Sequence, residues 1–178
     1  MGAAKPGGVS QKHLLLFGTI VQNFAAHELL TARIMAHALG TEVPAVLLLT
    51  RTLSIEEKRK AVLDLLRHLQ APLDQYDCVN SFLSFLLPFI RLRYDIVHSS
   101  WRPAPTPAAI QPAWILNPPA RISPLHAAAD SLPGVFVEDQ EEKLAYSLDE
   151  LAEIAAALEK NLANFSAFVD ESGLAGQG

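Results

Sequence analysis

The residues from Arg91 to Trp101, near the middle of the chain, have the types and spacing best suited to chemistry. This stretch contains Arg93, the carboxylate of Asp95 and the imidazole of His98. An arginine presents a charged fork that matches a phosphate, and a histidine exchanges a proton near neutral pH, so the stretch favours phosphoryl chemistry. A structural role is also open. Arg93 could balance a buried carboxylate, and His98 could close a helix C terminus, where positive charge is favourable.

The elements that must position these residues are helices. Four stretches show apolar residues three or four apart, the spacing of an amphipathic helix. They cover about 10–39, 55–69, 72–98 and 147–170. Capping-box patterns at Ser54 and Ser147 mark two of the helix starts, and Gly40 marks one end. Pro88 should kink the third helix, because proline removes a backbone donor and crowds the preceding turn.

The segment before the last helix has a different composition. Eight of the twelve prolines lie between Arg102 and Pro133, which excludes a continuous helix there. Short apolar pieces around turn-prone residues are consistent with a β-hairpin. Those pieces are Trp114–Leu116, Val135–Val137 and Leu144–Tyr146. The sequence therefore predicts an all-α fold, a bundle of four to five helices with a proline-rich, extended or β-hairpin insertion before the last helix.

The length and the polar termini predict one domain. A chain of 178 residues can bury one substantial core. The predicted helical domain covers 10–171, with the insertion at 102–146. Residues 1–9 and 172–178 are small and polar, which predicts disorder at both ends.

Charge is distributed unevenly along the chain. The net charge of −5 argues against non-specific coating of nucleic acid. Residues 51–102 nevertheless carry eight Lys or Arg against six Asp or Glu, whereas residues 130–171 carry two against eleven. A polyanion should therefore approach the central part of the chain. The candidate RNA-binding residues are Lys58, Arg59 and Arg102, and the first two are expected on the outward face of their helix.

The lone cysteine, Cys78, excludes an intrachain disulfide and a cysteine-based zinc site, which favours a reducing compartment and a cytoplasmic location. No apolar stretch of about 18 residues is free of charges and breakers, so we expect no membrane span. No cofactor or metal is expected.

Glu28 lies within the apolar stripe of the first helix, where a carboxylate is costly without a cation. The sequence predicts that Arg93, which lies on the core stripe of its own helix, supplies that cation. Five residues of helix rotate by about 500°, so Arg93 and His98 should diverge by about 140° within one chain. A homodimer built around the Arg93–Trp101 helix end would bring the two side chains into a shared cleft.

With these elements in place, the chain resembles the HEPN superfamily of helical bundles. The signature of that family is an arginine, four to six residues, and then a histidine at the end of a core helix. Arg93 and His98, with four residues between them, fit it. The resemblance covers about 13–101 and the last helix. The family commonly has a polar residue directly after the arginine, whereas this chain has Tyr94 there and Asp95 one position later.

The resemblance implies a metal-independent endoribonuclease of the toxin or defence type, with a site shared between two protomers. His98 would move the proton of a ribose 2′-hydroxyl or of the leaving oxygen, and Arg93 would stabilise charge on the phosphate. Glu28 and Asp95 would be supporting residues. The implied partners are a second copy of the chain, RNA and an antitoxin protein.

Two other functions are open from the residues alone. One is a non-catalytic helical module, in which Arg93 pairs structurally with Glu28 and the surface binds a protein or a nucleotide. The other is a metal-dependent hydrolase that would use His27, Glu28 and His98. The metal-dependent hydrolase is disfavoured because no predicted helix carries the paired histidine spacing of a metal site.

Overall fold

A computed structural model describes residues 9–106, 108–113 and 145–174 of the chain. Within these ranges the protein forms six α-helices, one 3-10 turn and three short strands. The helices are α1 (Gln11–Leu39), α2 (Val43–Leu49), α3 (Ile55–His68), α4 (Leu73–Ser84), α5 (Ile90–His98) and α6 (Leu148–Ser172). The strands are β1 (Ser100–Pro103), β2 (Ala109–Ala113) and β3 (Tyr146–Ser147). The predicted all-α bundle is confirmed, since five of the helices have nine or more residues and a small sheet precedes the last one.

Helix α1 is the central element, and α2, α3, α5 and α6 all pack against it. Helix α6 runs in the same direction as α1, because His27 contacts Asn161 and, farther along, Arg33 lies 3.8 Å from Asp170. The inner face of α1 buries Ile20, Phe24 and Ile34 completely. Burying a large apolar side chain is worth about 1.5 to 3 kcal/mol, so this face accounts for much of the core energy.

Local sequence signals set the helix ends, and the predicted capping boxes at Ser54 and Ser147 are confirmed. Ser10, Ser54 and Ser147 each accept a hydrogen bond from the backbone N–H three residues on, and the side chain of that residue accepts one from the backbone N–H of the serine. Gly40 ends α1 with φ of 60°, a left-handed conformation that favours glycine. At Pro88 the helix is interrupted by the 3-10 turn Leu87–Phe89, so α4 and α5 are separate helices.

The three strands form an antiparallel sheet in the order β1, β2, β3. Trp101 faces Pro112 in the β1–β2 register, and within the described residues β3 pairs with β2 at Ala109 and Ile110.

The predicted β-hairpin insertion before the last helix is confirmed. The hairpin uses residues 100–113, upstream of the pieces proposed for it. Of those pieces, Tyr146 does lie in a strand, whereas Trp114–Leu116 and Val135–Val137 fall outside the described residues. Helix α6 extends to Ser172, one residue into the predicted tail.

No single helix in the described ranges is long and apolar enough to cross a membrane. Helices α1 and α2 meet that length and composition only when taken together, and they are bent by 109° relative to each other.

Candidate functional site

One face of α5 collects the polar residues of the central stretch. Arg91 and His98 are seven positions apart in the sequence. On a helix this is a rotation of about 700°, which falls about 20° short of two full turns. Arg91, Tyr94, Asp95 and His98 therefore share one side of the helix. The sequence prediction overlooked Arg91, although its spacing of six intervening residues also fits the family signature and, unlike Arg93, places it on the same face as His98.

His98 is exposed at the last position of α5. Its ring centroid lies 4.5 Å from that of Tyr94, one turn earlier, with the two planes tilted by 43°. This contact orients the imidazole without consuming either ring nitrogen. A proton carrier needs such a nitrogen within reach of its substrate.

Asp95 lies at the centre of the same face and is completely buried. The Nε group of Arg91 donates to both carboxylate oxygens at 3.0 Å. Burial raises the pKa of the Asp95 carboxyl above its usual range, and the charge and hydrogen bond of Arg91 offset part of that rise. Burial, followed by the charge of Asp95, raises the pKa of the Tyr146 phenol.

Arg93 lies on a different side of α5. It is partly buried, and its Nε atom has no solvent contact and no hydrogen-bond partner. The predicted divergence of Arg93 from His98 follows from the regular helix that the structure shows over Ile90–His98. Within one chain, the histidine is therefore accompanied by Arg91 and not by Arg93.

Trp101 follows α5 and covers this end of the bundle. Its ring centroid lies 4.6 Å from that of Phe17 in α1 and 6.1 Å from that of Tyr146. Trp101 is thus a packed, partly buried residue. The Nε1 atom of Trp101 is buried without a partner.

The predicted pair of Glu28 and Arg93 is wrong, because Glu28 forms its ion pair with Lys58 of α3. Leu86 borders the same cleft as Glu28, and Arg93 is seven residues farther along the chain, roughly 10 Å by helical rise. Both charged side chains are largely covered, with 24% of Glu28 and 13% of Lys58 exposed. Lys58 therefore does not point outward as predicted.

Arg59 also turns inward. It donates through Nη1 to the side-chain oxygens of Asn80 and, at 3.4 Å, Ser84 on α4. The inward orientation had a signal in the sequence, since Lys58 and Arg59 each lie one turn before a buried residue, Val62 or Leu63. Of the three predicted RNA-binding residues, Arg102 alone is exposed.

Arg102 lies opposite Gln111 in the hairpin register. With the Gln111 amide oriented so that its oxygen faces the guanidinium, that oxygen accepts from Arg102 Nε at 2.9 Å and from Nη2 at 3.1 Å. The guanidinium remains at the surface, four residues beyond the end of α5.

His27 is completely buried between α1 and α6. Its Nδ1 atom lies 2.7 Å from the carbonyl oxygen of Asn23, which can only accept, so Nδ1 carries a hydrogen. The Nε2 atom lies 2.8 Å from the side-chain oxygen Oδ1 of Asn161. Both nitrogens are thus occupied, which leaves neither for a metal ion or for proton transfer.

Glu28, Lys58, Arg59 and His27 surround a cavity of about 10 Å³, which holds at most one water molecule. We call these four residues the central polar cluster. Within the described residues, Arg59 Nε is buried without a partner, whereas Glu28, Lys58, Arg59 Nη1 and both ring nitrogens of His27 bond to one another or to neighbouring groups. Because these groups are engaged and the cavity is small, we infer that the role of the cluster is structural. Glu28 is therefore not brought to the α5 end.

No group of three or more His, Cys, Asp or Glu side chains among the described residues is arranged to hold a metal ion. The third function considered from the sequence needs His27, Glu28 and His98 together, whereas His27 and Glu28 are engaged in the central polar cluster and His98 lies at the end of α5.

Comparison of the chain with protein-family models, with curated proteins and with solved structures finds a match in none of the three sets. The resemblance to the HEPN superfamily therefore depends on the arginine and histidine of α5 and on the helical fold.

Proposed function

We propose that the chain is a HEPN-like, metal-independent endoribonuclease in which the end of α5 is the reactive region. The observation that carries the proposal is the exposed imidazole of His98, oriented by Tyr94 on a helix face that also bears an arginine bound to a buried carboxylate. A proton carrier beside a fixed positive charge is the minimum that cleavage of an RNA phosphodiester by its own 2′-hydroxyl requires.

His98 accepts the proton of the 2′-hydroxyl or donates one to the leaving 5′-oxygen. The 2′-oxygen forms a new bond to phosphorus as the bond to the 5′-oxygen breaks, so the products carry a 2′,3′-cyclic phosphate and a 5′-hydroxyl. Asp95 does not touch RNA in this scheme, because it is buried. It positions the Arg91 guanidinium through the paired contacts at 3.0 Å.

Two arginines, Arg91 and Arg93, are the candidates for binding the phosphate. Arg91 is on the face of His98 and can serve it within one chain, whereas Arg93 can serve His98 only if a second protomer supplies it. Arg102, exposed on the adjoining hairpin, is suited to hold the flanking RNA backbone.

The basic test uses the full chain with mixed single-stranded and structured RNAs, with and without EDTA. We expect cleavage in both conditions and products that end in a 2′,3′-cyclic phosphate. Cleavage that EDTA abolishes, or products with a different end, would contradict the proposal. RNA binding without any cleavage would favour the non-catalytic module. Such binding would rest on Arg102, because Lys58 and Arg59 already have protein partners.

The identity of the arginine follows from co-expression of pairs of inactive variants. If Arg93 acts across a dimer, Arg93→Ala with His98→Ala should restore about a quarter of wild-type cleavage, because half of the dimers are mixed and each has one intact site. If Arg91 acts within its own chain, Arg91→Ala with His98→Ala should not regain cleavage, and Arg93→Ala should cleave RNA on its own. Arg91→Lys is the matched control that retains the charge and loses the fork.

A further inference from the structure

The outer face of α1 carries residues that the core and the proposed site do not use. Its members recur three or four residues apart over two heptads, and all of them are exposed. They are Leu15, Gly18, Gln22, Ala25 and Leu29, which we call the α1 seam. On a helical projection the seam lies about 180° from the buried stripe of Phe17, Ile20 and Phe24.

The α1 seam contains no charged residue, although a helix face that meets only water is ordinarily charged or polar. Leu15 is 65% exposed and Leu29 is 46% exposed. Leu14, beside the seam, is 60% exposed and enlarges the apolar strip. A contiguous exposed apolar strip of this kind marks an interaction surface more often than isolated exposed leucines do.

Gly18 provides a second, independent observation. Glycine in a helix interior is less favourable than alanine, because it loses more backbone freedom on folding. A Cβ atom built on Gly18 would meet nothing within 4 Å, so the protomer itself gives no steric reason for the missing side chain. Close approach of another backbone would give such a reason.

The order of residues in the α1 seam indicates what approaches it. Read in either direction, the seam has a leucine, a small residue, Gln22, a small residue and a leucine. If two copies of α1 cross antiparallel with Gln22 at the centre, Leu15 faces Leu29 of the second copy. Gly18 then faces Ala25 of the second copy, within about one residue of helical rise. Such self-complementarity is what an interface with two-fold symmetry requires.

We propose that the α1 seam binds a second copy of this chain in an antiparallel helix pair about a two-fold axis at Gln22. The leucines cover each other at both ends, and the small residues allow the two backbones to approach closely. The two Gln22 amides hydrogen-bond across the axis, where a single polar pair fixes the register of an apolar seam. This interface does not depend on the proposed ribonuclease activity.

The test is sedimentation of the full chain over a range of micromolar concentrations. We expect a dimer for the wild-type chain and at least about tenfold weaker association for Leu15→Glu. The matched control is Leu73→Glu in α4, since Leu73 is 73% exposed and lies outside the seam, and its association should equal that of wild type. A monomeric wild type, or a Leu15→Glu variant that associates as well as wild type, would overturn the proposal.

Paired charges test the orientation. In an antiparallel pair the double variant Leu15→Glu/Leu29→Lys places opposite charges opposite each other, and Leu15→Glu/Leu29→Glu places like charges there. The first should associate at least about tenfold more tightly than the second. Equal association of the two double variants would exclude the antiparallel register. Gly18→Met gives a further criterion, because it should raise the melting temperature of the protomer while it weakens the dimer.

Discussion

The central polar cluster and the end of α5 contain similar residue types, but these residues differ in whether hydrogen bonds and ion pairs engage them. In the cluster, Glu28 pairs with Lys58, Arg59 donates to two α4 side chains, and both ring nitrogens of His27 have partners. At the α5 end, His98 is exposed and its ring contacts the tilted ring of Tyr94. Chemistry needs groups that are positioned and still available, so a histidine and an arginine are informative only together with their partners.

Burial separates the two regions further. The cavity of the central polar cluster admits no more than one water molecule, whereas the α5 end adjoins the exposed Arg102. Variants in the cluster should therefore change stability, and variants at the α5 end should change activity.

The matched pair of histidines should show the largest contrast in stability. His27→Ala should lower the free energy of unfolding by about 3 kcal/mol, because it leaves a cavity and removes the partners of Asn161 and the Asn23 carbonyl. His98→Ala should change it by less than about 0.5 kcal/mol, since His98 is exposed. Urea unfolding of both variants checks this, and equal losses would remove the distinction between the regions.

Glu28→Gln should have an intermediate effect. It leaves the mostly covered Lys58 without a countercharge, at a cost of about 1 to 2 kcal/mol, between the values for exposed and buried pairs. A double-mutant cycle with Lys58→Met isolates the pair, because the double variant buries no unpaired charge. If Glu28→Gln unfolds at the same urea concentration as wild type, the pair contributes nothing and the cluster is less structural than we infer.

Asp95→Asn should give the wild-type comparison a distinct pH dependence. Burial raises the pKa of Asp95 in the folded protein, so the folded state binds a proton more readily than the unfolded state does. The wild-type free energy of unfolding should therefore fall as pH rises from the ordinary carboxyl pKa to the raised one, and this contribution should be flat above it.

Asparagine does not titrate. The difference in free energy of unfolding between wild type and Asp95→Asn should therefore decline as pH rises from the ordinary carboxyl pKa to the raised one. Asp64→Asn, at an exposed carboxylate paired with Arg67, is the control and should show no such decline. A difference for Asp95→Asn that stays constant with pH would mean that burial does not govern this carboxylate.

The sequence predicts the parts of the fold that depend on neighbouring residues. The serine caps, the Gly40 stop and the break at Pro88 are local signals, and all of them appear where expected. The strands at Ser100–Pro103 and Ala109–Ala113 were not predicted, because their pairing depends on the register between two segments and not on a local apolar pattern.

The candidate site was predicted in part for the same reason. The helix end and its histidine follow from periodicity, and so does the shared face of Arg91 and His98. The partner of Glu28 does not follow from periodicity. Two cations, Lys58 and Arg93, lie on inward-facing stripes, and which of them meets Glu28 depends on how α3 and α5 pack on α1. A charge on a core stripe predicts that a partner exists without identifying it.

The comparison of cleavage rate and stability in two variants tests the central claim most directly. His98→Ala and Glu28→Gln are assayed on the same RNAs in EDTA, and each is unfolded in urea. We predict that His98→Ala loses at least about 10²-fold in cleavage with unchanged stability, and that Glu28→Gln loses stability while retaining cleavage below its melting temperature. Cleavage that survives in His98→Ala, or is lost in a folded Glu28→Gln, would contradict the account.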